Sequence, residues 1–242
     1  MSFVPADITA SEKTLADRAL RLLREDILAA RLAPDTRLRI VELQTRYGLG
    51  ISPLREALLR LASEGLVVAE GQRGFAVASV SLAELEDLTR ARIRLESAIL
   101  AEAIEQGDAE WEAGMIAALH RLSRTPLPHD AQDAEAIDLW EERHRAFHQS
   151  LVAGCGSVWL LRMHAQLTEH SERYRRVRLF HSMPPLQLAR KVDEEHQALM
   201  QALLDRDTPR VAELVKQHLE YTARVVASLW KIQQTEPAEQ TV

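Results

Sequence analysis

Apolar residues recur at helical spacing through most of this chain, with one short interruption of strand-like pattern. Residues 14–30, TLADRALRLLREDILAA, place Ala16, Leu20, Leu23, Ile27 and Ala30 on one stripe and predict a helix N-capped by Thr14. The stretch LAPDTRL holds a Pro-Asp turn that exposes Arg37 and Arg39 near the start of a short helix over Ile40–Tyr47. Gly48 to Ile51 make a tight connection. Beyond it, Leu54, Ala57, Leu58, Leu61 and Ala62 mark a third helix, with Ser52 as N-cap, Pro53 at the first helical position and Gly65 as terminator. The capping-box glutamate is missing because position 55 is Arg55, an arginine one turn into the helix on the side away from the core.

After Gly65 the pattern becomes LVVAEGQRGFAVASV. Two β-branched runs flank Gly71-Gln72-Arg73-Gly74 and predict a hairpin with a glycine-rich tip. Three helices followed by such a hairpin make a winged helix-turn-helix, whose third helix enters the major groove of DNA while the tip arginine reaches the minor groove or a phosphate. Small winged helices also serve as protein-interaction modules. From the S-x-x-E capping box at Ser81 onward no strand signal survives, and six helical stretches follow: 82–106, 108–124, 131–153, 157–182, 185–205 and 208–231. Turns at Gly107, Thr125–Pro128, Gly154-Cys155-Gly156, Met183-Pro184-Pro185 and Asp205–Asp207 separate them. The chain therefore reads as mainly α: a flexible start over 1–13, a winged helix over 14–80, an all-α bundle over 81–232 that binds an effector and dimerises, and a disordered tail over 233–242.

Charge sharpens this division. The net charge is −6, yet residues 1–80 carry 11 Lys/Arg against 10 Asp/Glu, and the remainder carries 19 against 26. From Arg37 to Arg60 five arginines face two glutamates. A locally basic head on an acidic body suits a DNA-binding module joined to one of another kind. The lone Cys155 excludes a disulfide framework and fits a reducing compartment. No apolar run approaches a bilayer span and the N-terminus has no signal-peptide core, so a cytoplasmic location is expected.

The stretch from Leu28 to Ala78, with its run PLREALLRLASEGLV followed by Arg73-Gly74 and a valine-rich strand, resembles the winged-helix domain of GntR-family bacterial transcription regulators. The resemblance implies operator contacts from Ser52 and Arg55 on the third helix and from Arg73 and Gly74 in the wing. One departure stands out. The family usually has a serine-arginine pair just before the Thr/Ser-Pro step, where this chain has Gly50 and Ile51. Arg39 and Arg46 are placed to take over part of the positioning, and operator preference should differ at Gly50-Ile51.

All nine histidines follow residue 119, and four look organised. His144 and His148 are one turn apart in EERHRAFHQSL, His196 follows Glu194-Glu195, and His218 lies in the last helix. Two imidazoles at i and i+4, with others from facing helices, can form a metal site inside a bundle; an H-x-x-x-H pair also occurs as plain polar surface. Arg145 stands where a zinc protease has its glutamate, so that general base is missing.

Arg92 to Glu96 (R-x-x-L-E), Phe147-His148, Glu195-His196, Ala202–Asp207 and His218-Leu219 together resemble the helical effector-binding (FCD) domain of the FadR-type branch of the same family. Metal-containing members hold zinc, nickel or a similar ion with an aspartate and three histidines. By position the histidines are His148, His196 and His218, and the aspartate position holds His144. A neutral fourth ligand makes the site one charge more positive and favours an anion. The implied effector is a small carboxylic acid, including dicarboxylates, with Arg92 pairing its carboxylate and Tyr174 adjacent. Arg92 could equally pair with Glu96 on the surface, and Arg173, Tyr174 and Arg176 could form a solvated basic face. Within the branch the chain is similar to the carbon-starvation-induced, glutarate-responsive repressors.

The function expected is a ligand-responsive repressor that binds a palindromic operator as a homodimer. The alternative is a metal-dependent enzyme acting on a small acid, with the winged helix as a docking module. It lacks a nucleophile elbow, a phosphate-binding loop, and a carboxylate poised beside His148.

Overall fold

The computed structural model describes residues 14–128, 133–181 and 186–235. The segments 1–13 and 236–242, and the turn expected at Met183-Pro184-Pro185, lie outside the described residues. The chain divides into two compact units, residues 1–80 and 81–242.

In the first unit, α1 (Leu15–Leu28) is capped by Thr14, whose hydroxyl accepts from the Asp17 amide at 3.1 Å. Its buried stripe runs through Ala16, Ala19, Leu23 and Ile27. Leu20, expected on that stripe, is only half-buried, and Ala30 lies past the helix end with φ 56°. β1 (Arg37–Leu38) leads into α2 (Ile40–Tyr47), which ends on Gly48 in the left-handed conformation. α3 (Ile51–Ser63) puts Leu54, Ala57, Leu58 and Leu61 at full burial and packs on α1. It ends in a Schellman motif: the Leu66 amide donates to Leu61, that of Gly65 donates to Ala62, and Gly65 takes φ 78°.

The wing is β2 (Val67–Ala69), a single 3-10 turn over Gly71–Arg73, and β3 (Phe75–Val77). β1 adds a third strand on the far side of β3, giving the order β1-β3-β2, antiparallel throughout. By sequence, Arg37 and Leu38 belong to the turn of LAPDTRL. Two residues are too few to show an alternating pattern, and only the pairing of Arg37 with Ala76 and of Leu38 with Phe75 makes them a strand.

The second unit is all helical among the described residues: α4 (Leu82–Gln106), α5 (Ala109–Ser123), α6 (Ala134–Val152), α7 (Val158–His181), α8 (Leu186–Leu204) and α9 (Thr208–Thr235). α6 starts three residues later than its apolar pattern suggests, because Asp133 caps it by accepting from the Ala136 amide. α9 runs through Gln233 and Gln234, expected in the tail, since no helix breaker occurs before Pro237. α4 packs on α7 and α9, α5 on α6, and α8 on α9, around a core that includes Ile99, Met115, Phe147, Leu203 and Val215. Trp111 fastens α5 to the end of α6 by donating to the carbonyls of Ser150 and Leu151. A β-carbon on Gly107 would lie 2.0 Å from the Trp111 ring, so only glycine fits that turn. No helix among the described residues is long and apolar enough to cross a membrane.

Candidate metal centre and DNA-reading face

The helix-turn-helix face depends on where α3 begins. The N-cap is Gly50, with extended backbone, and not Ser52. Ile51 and Ser52 are the first two helical residues and Pro53 the third, still inside the turn whose amides have no intrahelical acceptor. The Ser52 hydroxyl is therefore free of capping and exposed, one turn before the exposed Arg55. Arg39 is exposed and donates to Glu42 at 3.2 Å. Arg46 is different: its Nε and Nη2 meet Asp26 at 2.8 and 2.6 Å, in a cluster with Arg31 and Tyr47 that ties α1 to α2. Nothing in the apolar spacing of α1 marks Asp26, on its inner side, as the centre of this cluster. Arg73 is exposed at the wing tip, beside Gly74 at φ 91°, ψ −134°, a conformation open to glycine alone.

In the bundle, α6 brings His144 and His148 onto one face, α8 supplies His196 and α9 His218, all buried. One ring nitrogen from each lies within 4.8 Å of the others. The Nε2 atoms of His144 and His148 are 3.2 Å apart, close to the separation of about 3.3 Å between two imidazole nitrogens around a tetrahedral zinc. Trp140 stacks on His144 and Phe147 packs against His196, walling the cluster with aromatic surface. Burial, reinforced by mutual repulsion among the imidazoles and by Arg175, pushes His144, His148 and His196 well below the ordinary histidine range, so their rings are neutral and able to coordinate a cation.

The donor set fits a metal ion. Both ring nitrogens of the fully buried His196 lack a hydrogen-bond partner, and so does His144 Nδ1. Leaving such groups unpaired is costly unless something coordinates them. Glu195 contacts His218 Nδ1 at 2.9 Å and fixes which nitrogen faces the cluster, the usual work of an outer carboxylate around a metal-bound imidazole. Soft-to-borderline nitrogen donors without a carboxylate suit zinc or nickel over magnesium or calcium.

Arg92 lies beside this cluster, but it is buried and not on the surface; Glu96 accepts from its Nε at 2.8 Å. The expected solvated basic face on α7 is also corrected. Arg173, Tyr174, Arg175 and Arg176 are all buried. Arg145 and Arg176 hold the buried Glu172, and Arg175 donates to Glu141 at 3.2 Å. Arg175, which sequence reasoning passed over, lines the same cavity as Arg92, His144, His148 and His218, and its Nε has no partner. A second cavity shares Arg92 and Arg175 and reaches Thr89, Ser171 and Tyr174. The available signal was that Thr168–Arg176 within α7 is polar on every side but for Tyr174, and inside a bundle such a segment must line a polar interior. The Tyr174 hydroxyl donates to Glu84 at 2.6 Å and accepts from the Ser81 amide. Ser81 accepts in turn from the Glu84 amide, so Tyr174 completes the N-cap of α4.

Residues 15–77 match the family described as bacterial regulatory proteins, gntR family, and residues 87–221 match the FCD domain. The chain is 42% identical over 201 residues to the HTH-type transcriptional repressor GlaR of Escherichia coli K12, covering 82% of this chain and 90% of that one. It is 38% identical over 217 residues to the HTH-type transcriptional regulator BphR of Paraburkholderia xenovorans LB400, covering 90% and 87%. Among solved structures, E. coli McbR/YncC superposes with a TM-score of 0.74 at 24% identity, over 90% of this chain and 99% of that one. A GntR-family transcriptional regulator from Pseudomonas syringae pv. tomato DC3000 gives 0.53 at 25% identity, over 91% and 87%. These likenesses set aside the enzyme alternative. The chain belongs to the GntR family of transcription regulators, with a winged helix-turn-helix followed by an FCD domain.

Proposed function

We propose that this regulator is a repressor that binds a palindromic operator as a homodimer and releases it when a small carboxylate binds beside a metal in the FCD bundle. The observation that carries the reading is the four-histidine cluster with its unpartnered ring nitrogens, next to two buried arginines. Each buried arginine already has a carboxylate partner, and among the described residues the one carboxylate touching the cluster is Glu195. A divalent ion there brings positive charge that this single carboxylate only partly cancels, and so favours an anionic effector. Arg92 and Arg175 are positioned to share the effector's carboxylate with Glu96 and Glu141. Arg39, Ser52, Arg55, Arg73 and Gly74 face the operator, while Arg46 supports them through Asp26. Effector occupancy is transmitted through Tyr174 to the Ser81–Glu84 cap, one residue after the winged helix ends.

The test is binding of the purified chain to its own upstream DNA at low salt, with zinc or nickel and a series of straight-chain mono- and dicarboxylic acids. Binding that one acid abolishes, in a metal-dependent way, supports the reading. Absence of DNA binding at low salt, or release that ignores both metal and acid, overturns it.

A further inference from the structure

We propose that Ile51 is a base-reading residue whose side chain packs against the C5-methyl group of a thymine in the major groove, beside the base pair met by Arg55. The inference rests on the helix-turn-helix binding DNA through α3. Ile51 is 56% exposed, although Leu54, Ala57, Leu58 and Leu61 on the same helix are completely buried and already close the core. An isoleucine left in water forfeits a burial gain that its helix-mates collect.

Its position explains the exposure. Because Gly50 takes the cap, Ile51 is the first helical residue. Side chains on a helix lean toward its N-terminus, so that of Ile51 projects past the end that enters the groove. Ser52 and Arg55, both exposed, flank it, and the segment Arg37–Arg60 carries five arginines to two glutamates, matching a polyanionic partner. Leu59 is 54% exposed as well, but it lies two turns further on, away from the residues that reach base edges.

An isoleucine can neither donate nor accept a hydrogen bond, so it cannot read the polar pattern of a base pair. Of the groups displayed in the major groove only the thymine methyl is apolar. A β-branched side chain on a helix is also held in one rotamer, which makes it a stiff probe for a methyl-sized target.

The experiment selects duplexes from a randomised library with the full chain, wild type and Ile51→Ala, and then replaces thymines in the selected site by deoxyuridine, which lacks only the methyl. Wild type is expected to select thymine at one fixed position per half-site, and uracil there to weaken binding about fourfold, the equivalent of one buried carbon at about 0.8 kcal/mol. Ile51→Ala should lose that preference alone, bind thymine and uracil duplexes equally, and melt at the wild-type temperature. Ile51→Arg should move the preference toward guanine. Wild-type binding that is indifferent to uracil at every selected position overturns the Ile51 assignment and leaves the regulator reading intact. Failure to select any duplex overturns both.

Discussion

Asp26 is buried on the inner side of α1, where it accepts from Tyr47, Arg31 and Arg46. Burial alone would raise its carboxyl, but the hydrogen bond from Tyr47 and the two arginines outweigh it and hold the group below the usual carboxylate range. As pH falls the unfolded chain therefore takes up the proton first. The stabilisation is present above about pH 4 and is lost progressively below it. Asp26→Asn should cost about 2 kcal/mol at pH 7 and less at pH 3, as read from urea unfolding at the two values. Arg55→Ala should instead leave stability unchanged and weaken operator binding by about tenfold or more, measured by fluorescence anisotropy. At the histidine cluster, His144→Asp should keep one metal per chain by elemental analysis and lower effector affinity several-fold by calorimetry, since it puts a negative charge where the neutral imidazole stood. The four histidines were legible in the sequence because two share a helix face and the others sit in helices of the matching bundle. Asp26 and Arg175 were not, because burial of a charged residue depends on partners twenty or more positions away.

The helices of both units could be read from apolar spacing, and α2 and α4 begin and end where that spacing places them. What escaped were features decided by contacts outside the element. β1 exists only through β3, the start of α3 shifts because Gly50 adopts the extended cap, and α7 looks like a solvated basic helix until the bundle closes around it. The cap of α4 belongs to this class. A sequence shows Ser81 and Glu84 as a reciprocal pair, whereas the structure inserts the Tyr174 hydroxyl between them. Tyr174→Phe should speed hydrogen exchange at the Ser81 amide while leaving the core of α4 protected. The same variant should still bind the effector by calorimetry yet show a smaller loss of operator affinity on adding it. An unchanged DNA response in that variant would remove the α4 cap from the path between the two units.

At the scale of the whole chain, composition already separates a near-neutral head, with its short basic segment, from an acidic body, and the structure divides at the same Val80–Ser81 step. Chelation should lower the unfolding temperature of the helical unit and leave that of the winged helix in place, so that one calorimetric transition moves and the other does not. Sedimentation of the full chain checks the homodimer that a palindromic operator requires. His196 gives this arrangement a kinetic side. It is 0% exposed, with two ring nitrogens that reach no protein partner, between helices that share one apolar core. An ion bound as proposed would be shut in by the helices around His196 and could exchange only on the side of the cavity lined by Arg92 and Arg175. On the proposed function, an acid seated in that cavity would close this route and slow the loss of the ion.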